Sequence, residues 1–172
     1  MPTWNPTPPN MGNHVGQLYQ RKLSASPLTI KAPAGHRFSI RIDEVHASLA
    51  QSAQIDYRRL ETDNGIAFGT LGGDGDIGKL PTNWLVGDVY LEPAIYRLSM
   101  RSWYFGDSRL STGTLVEAHE YTNGVFLKVN VDDAGMWQNG NGPDHDYNDL
   151  IMHVWIEKHQ ASAGWASGVI AS

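Results

Sequence analysis

The chain contains no cysteine. That removes disulfide staples, zinc–thiolate centres and cysteine nucleophiles, so cohesion must come from packing or from a metal held by other ligands. It also lacks an apolar run approaching the roughly 18–20 residues of a membrane-crossing helix. Positive charge is scarce: 13 Lys and Arg stand against 18 Asp and Glu, for a net charge of −5 and a pI near 5.7. Such a balance argues against nucleic acid or an anionic membrane as the main partner. Finally, no long segment sustains a 3.6-residue apolar period, which excludes a mainly helical domain. The segment 47–54 admits a short helix, and its Gln, Ser and Ala fit a loop equally well.

Charged residues make up 18% of the chain and hydrophobic ones 41%. The first figure is below the usual quarter, which places the chain among globular domains. At 172 residues one domain with a sizeable core is expected. The stretch Met1 to Pro9 has neither a basic n-region nor an apolar h-region. A soluble protein is therefore expected, cytoplasmic or exported without a cleaved signal peptide, with no membrane insertion.

What the sequence does contain is period-two alternation. In His36 to Val45, Phe38, Ile40 and Ile42 share one face while Arg37, Ser39, Arg41 and Asp43 share the other, the mark of a half-buried strand. Leu28 to Ala32, Gln54 to Glu61, Ile66 to Leu71, Val89 to Leu91 and Ile95 to Tyr104 read as further strands. The segments 114–118 and 125–131 read as a hairpin around Thr122-Asn123-Gly124. Leu150 to Glu157 is bulky on both faces, as a central strand should be. The expected fold is an all-β antiparallel sandwich of about eight to nine strands in a single domain. Residues 1–15 read as an N-terminal arm rich in proline, 16–160 as the sandwich domain, and 161–172 as a tail or closing edge strand.

The strongest functional feature is the run Asp144-His145-Asp146-Tyr147-Asn148-Asp149, directly before the last strand. Three carboxylates so closely spaced repel one another unless solvated or neutralised by a cation. Calcium suits them best, because it takes six to eight oxygens in irregular geometry. A solvated acidic turn is the plainer alternative. Asp132 and Asp133 end the preceding strand and sit on the same connection, so they are candidate ligands as well, although they could simply cap a strand end. Asn139 and Asn141 offer neutral oxygens, and Gly140 and Gly142 allow tight wrapping. Trp137, beside the acidic run, is a candidate stacking platform, and Asn141 a candidate ligand contact. Core packing is the default role for any of the six tryptophans, including Trp103 and Trp155. The segment Gly72-Gly73-Asp74-Gly75-Asp76 reads as a glycine-rich linker with two solvated aspartates, in preference to a second calcium loop.

The acidic run resembles that of the calcium-mediated fucose- and mannose-binding lectins of bacteria. Those proteins carry an acidic pair and then Asp-x-Asp-Tyr-Asn-Asp leading into an apolar strand. A fainter similarity lies in Pro33-Ala34-Gly35-His36-Arg37-Phe38. The resemblance implies two calcium ions bridged by Asp146 and Asp149, with Asp144 on one ion and Asn148 on the other, and sugar hydroxyls completing both shells. This sequence departs from the pattern in three places. Asp132 and Asp133 are separated from the run by a longer insert. The family's asparagine after the first long strand falls near Val45. The chain also continues to Ser172 where the family ends.

No Gly-x-Ser-x-Gly signature is present, and nothing selects a carboxylate pair for glycosidase work among Glu44, Glu61, Glu92, Glu117 and Glu120. A non-enzymatic, calcium-dependent carbohydrate-binding protein is expected, oligomeric because one shallow sugar site is weak. The alternative is a calcium-stabilised interaction or toxin-component domain in which the ion is structural.

Overall fold

The computed structural model describes residues 3–4, 15–24, 27–46, 50–58, 66–72, 85–104, 106–111, 113–121, 124–132 and 149–159. The elements are strands throughout: β1 Thr3–Trp4, β2 Val15–Ser24, β3 Leu28–Ala32, β4 His36–Val45, β5 Ala50–Arg58, β6 Ile66–Gly72, β7 Leu85–Val86, β8 Ala94–Tyr104, β9 Asp107–Leu110, β10 Gly113–Tyr121, β11 Gly124–Asp132 and β12 Leu150–Lys158. Three of them, β1, β7 and β9, have four residues or fewer, so the longer strands agree with the eight to nine expected.

They form two antiparallel sheets. The larger has the order β1-β7-β4-β12-β11-β10-β2; the smaller has β3-β8-β5-β6, with β9 on β8. The sandwich follows from alternation. In β11 the odd residues Val125, Leu127, Val129 and Val131 are fully buried in the core, as are the even residues Leu150, Met152, Val154 and Ile156 of β12. They meet Leu28, Ile30, Ile55, Tyr96, Leu98 and Met100 of the smaller sheet. Each such side chain contributes roughly 1.5–3 kcal/mol by leaving water. The bulk on both faces of β12 is explained by its place between β4 and β11.

Several boundaries differ from the sequence reading. Residues 50–54, open between helix and loop, belong to β5, where the segment pairs along β8 and Ala53 and Ile55 enter the core. The strand expected at 89–91 is replaced by Leu85–Val86, which pairs with Ile40 and Ser39. Val15–Ser24 pairs along β10 with register shifts, and those irregularities blur the alternation that would have marked it. Thr3 and Trp4, within the expected arm, pair with Val86 and Leu85.

The β3–β4 turn is built by Pro33-Ala34-Gly35-His36. Gly35 takes φ 78° and the His36 amide donates to the Pro33 carbonyl at 3.2 Å, the arrangement of a type II turn, which wants glycine at its third position. Below that turn Phe38 stacks on Tyr96 with centroids 4.0 Å apart, and Phe68 meets both edge-on. This aromatic cluster fills one pole of the core. The other pole carries the candidate site.

Candidate metal centre

Two of the six expected metal ligands lie within the described residues, and the fold sets them side by side. Asp132 ends β11 and Asp149 directly precedes β12. The β11–β12 ladder runs to Val131↔Leu150, so Asp132 and Asp149 lie at the adjoining ends of the two strands. Both are buried, Asp132 at 0% and Asp149 at 9% exposure.

Asp149 is fixed from both sides. Its amide donates to the Val131 carbonyl at 3.1 Å, and its carbonyl accepts from the His46 amide at 3.0 Å. It is thereby clamped between the ends of β11 and β4. Asp132 is held through its pairing with Gly113 of β10. Two residues behind it, Asn130 donates from Nδ2 to the Leu115 carbonyl at 2.9 Å and to Glu117 Oε1 at 3.2 Å. Carboxylate-bearing positions on three adjacent strands are thus organised by backbone and side-chain contacts rather than by loop packing.

Sequence reasoning placed Val45 at this pole, and the structure pairs Val45 with Leu150. It did not find the two polar neighbours that accompany Val45. Glu44 accepts from His46 Nε2 at 2.7 Å, and that hydrogen bond holds the Glu44 carboxyl below its usual range. A register shift opposite Ile151 and Met152 interrupts the β4 ladder here, as a bulge does. Beyond it Asp43 meets Arg41 at 3.2 Å and His153 at 3.4 Å. Burial lowers the His153 proton affinity, and Asp43 opposes that effect. No local motif marks these groups. They reach the site only through the β4–β12 pairing, a contact far apart in sequence.

Asp133, Trp137, Asn141, Asp144, Asp146 and Asn148 lie outside the described residues, as do residues 73–76. Among the described residues no group of three or more His, Asp or Glu side chains could hold a metal ion. Two adjacent buried carboxylates suit a hard divalent cation, since burying each charge alone costs several kcal/mol. Of the tryptophans with packing as their default role, Trp155 is buried against Phe126 with centroids 5.4 Å apart, in a cluster separate from the main core, while Trp103 is half-buried and donates from Nε1 to Ser52 Oγ at 2.7 Å.

No family model matches the chain, and no curated protein matches it. Among solved structures it is similar to the C-terminal domain of BC2L-C Lectin from Burkholderia cenocepacia, at 19% identity and a TM-score of 0.47, over 76% of this chain and 96% of that one. No helix among the described residues is long and apolar enough to cross a membrane.

Proposed function

We propose that the chain is a non-catalytic, calcium-dependent carbohydrate-binding protein whose ion is held at the β11–β12 connection. The observation that supports this reading best is the juxtaposition of buried Asp132 and Asp149 at the two ends of that connection. The connection itself contributes Asp133, Asp144, Asp146 and Asn148, an oxygen-rich donor set of the kind calcium takes. Bound calcium would neutralise the clustered carboxylates and present a hard cation to vicinal hydroxyls. Trp137 and Asn141 would contact the sugar, and a homo-oligomer would raise avidity. The resemblance of Asp144 to Asp149 to bacterial fucose- and mannose-binding lectins supports the sugar class.

One observation favours a second reading. Asp132 is fully buried, which suits an ion closed to external ligands and serving only stability. Glycan-array binding separates the two. Binding that disappears in EDTA and returns with calcium supports the lectin. A large EDTA effect on melting without any bound glycan supports the structural ion.

A further inference from the structure

The outer face of the smaller sheet follows from strand alternation. Leu98 and Met100 of β8, Ala53 and Ile55 of β5, and Ile30 and Ala32 of β3 enter the core. Arg97, Arg101 and Trp103 of β8, Gln54 of β5 and Lys31 of β3 therefore project to the other side. Cross-strand partners share that face, Thr70 with Gln54 and Leu110 with Arg101. This side is open to solvent: Gln54 and Thr70 are exposed, and Leu110 is 42% exposed.

Charge on this face runs against the charge of the chain. The whole protein carries −5, yet the described part of this face sets Lys31, Arg97 and Arg101 against one carboxylate, Asp56, opposite Arg97. Arg101 donates from Nη1 to Ser108 Oγ at 3.1 Å. That partner is neutral, so the bond orients the guanidinium without neutralising it. The two arginine positions lie four residues apart on one side of β8, a separation of about 13 Å. Midway between them Ser99, Gln54 and Thr70 form a row of neutral hydrogen-bonding groups across three strands.

Trp103 lies flat at the end of this line. It stands opposite Ala50 but donates from Nε1 to Ser52 Oγ at 2.7 Å. Ser52 is two residues further along β5, opposite Arg101. The indole therefore runs diagonally over two strands instead of standing up from the sheet. Ser52 is only 4% exposed, as a residue beneath the ring should be, while Trp103 itself is half-buried. One ring face rests on the sheet and the other is turned outward.

From this fixed ring and this local charge we propose that the outer face of the smaller sheet is a second binding surface, for a polysaccharide bearing uronic-acid carboxylates. The outward face of Trp103 stacks on the C–H face of a sugar ring. Arg101 and Arg97 take carboxylates through their planar N–H forks, and Gln54 and Thr70 bond hydroxyls between them. Spacing selects the kind of polyanion. Neutral donors between the arginines match a chain with sparse charge and free hydroxyls, not a densely sulfated one. Nucleic acid fits less well, because the negative charge of the rest of the protein repels a phosphate on every nucleotide. The surface is on the smaller sheet and the proposed ion at the β11–β12 connection of the larger, so the inference stands without calcium.

The test is binding of polygalacturonate to the full-length protein in EDTA, at low and at high salt. Binding that weakens as salt rises is expected. The double variant Arg97→Gln, Arg101→Gln should bind about tenfold more weakly, from the loss of two exposed charge pairs, with its melting temperature unchanged. Trp103→Leu should weaken binding about fivefold through the lost ring face. Methyl-esterified polygalacturonate keeps the hydroxyls and loses the charge, and should bind the parent no better than polygalacturonate binds the double variant. Absence of binding by the parent, or equal binding by the double variant, would overturn the proposal. So would tighter binding of oligothymidylate of matched charge, the sign of a nucleic-acid surface. Calcium-dependent sugar binding should be the same in the double variant and the parent, which keeps failure of this surface distinct from failure of the ion site.

Discussion

Asp132 and Asp149 flank the Val131–Leu150 pair at the adjoining ends of neighbouring antiparallel strands, and both are buried. Two carboxylates so placed repel when no cation is present. The proposed ion would therefore make the stability of the domain depend on calcium.

Calcium should raise the melting temperature of EDTA-stripped protein. At about 100-fold excess over Kd the linkage is worth about 2.7 kcal/mol. For a domain of this size each kcal/mol shifts Tm by about 2–4 °C, so a rise of about 5–11 °C is expected in differential scanning calorimetry. Unchanged melting would contradict any ion at this pole.

Asp132→Asn should separate fold from site. The amide keeps the shape and removes one of two repelling charges, so the calcium-free protein should melt no lower than the parent. The calcium-induced rise should shrink to less than half. An undiminished rise would remove Asp132 from the ligand set. Asp146→Ala should abolish the calcium response, and full calcium affinity in that variant would sink the assignment of the run.

Gly124→Ala should destabilise without touching the site. A Cβ there meets the Ile156 carbonyl of the adjacent strand, and backbone cannot move aside cheaply. A loss of about 1–3 kcal/mol is expected in urea denaturation, with calcium Kd unchanged because the β10–β11 turn lies at the opposite pole. A stability equal to the parent's would contradict the close approach.

Acidification should destabilise the domain in a window set by His36 and His153. Burial lowers both below the ordinary value of 6.5, so the unfolded chain takes up protons first. Stability is then complete above about pH 6.5 and falls as pH drops through that value toward the folded-state values, by at most about 1.4 kcal/mol per group per pH unit. Urea midpoints for EDTA-stripped protein at pH 7.5 and 5.5 should differ in that sense. His36 donates from Nδ1 to the Ala34 carbonyl at 3.0 Å, and His36→Gln should flatten the dependence. A higher midpoint at pH 5.5 would contradict the burial of these rings.

How much was legible in the sequence depended on whether the signal was local. β4 matches its expected bounds, because Phe38, Ile40 and Ile42 alternate without interruption. β2 escaped notice because its ladder with β10 shifts register and its apolar residues fall out of step. The acidic run was legible as chemistry, since clustered carboxylates next to a strand need a cation or water wherever the chain folds. The placement of Glu44 and His46 beside Asp149 was not, because it depends on which strand pairs with β12.

The central claim is tested most directly by calorimetric titration of EDTA-stripped protein with calcium, repeated in fucose, mannose and galactose. The account predicts calcium heat at a stoichiometry of one or two and sugar heat only in the calcium-loaded protein. Calcium heat with no sugar heat would assign the ion a structural role. The absence of calcium heat would mean that the acidic run is a solvated turn, contradicting the account.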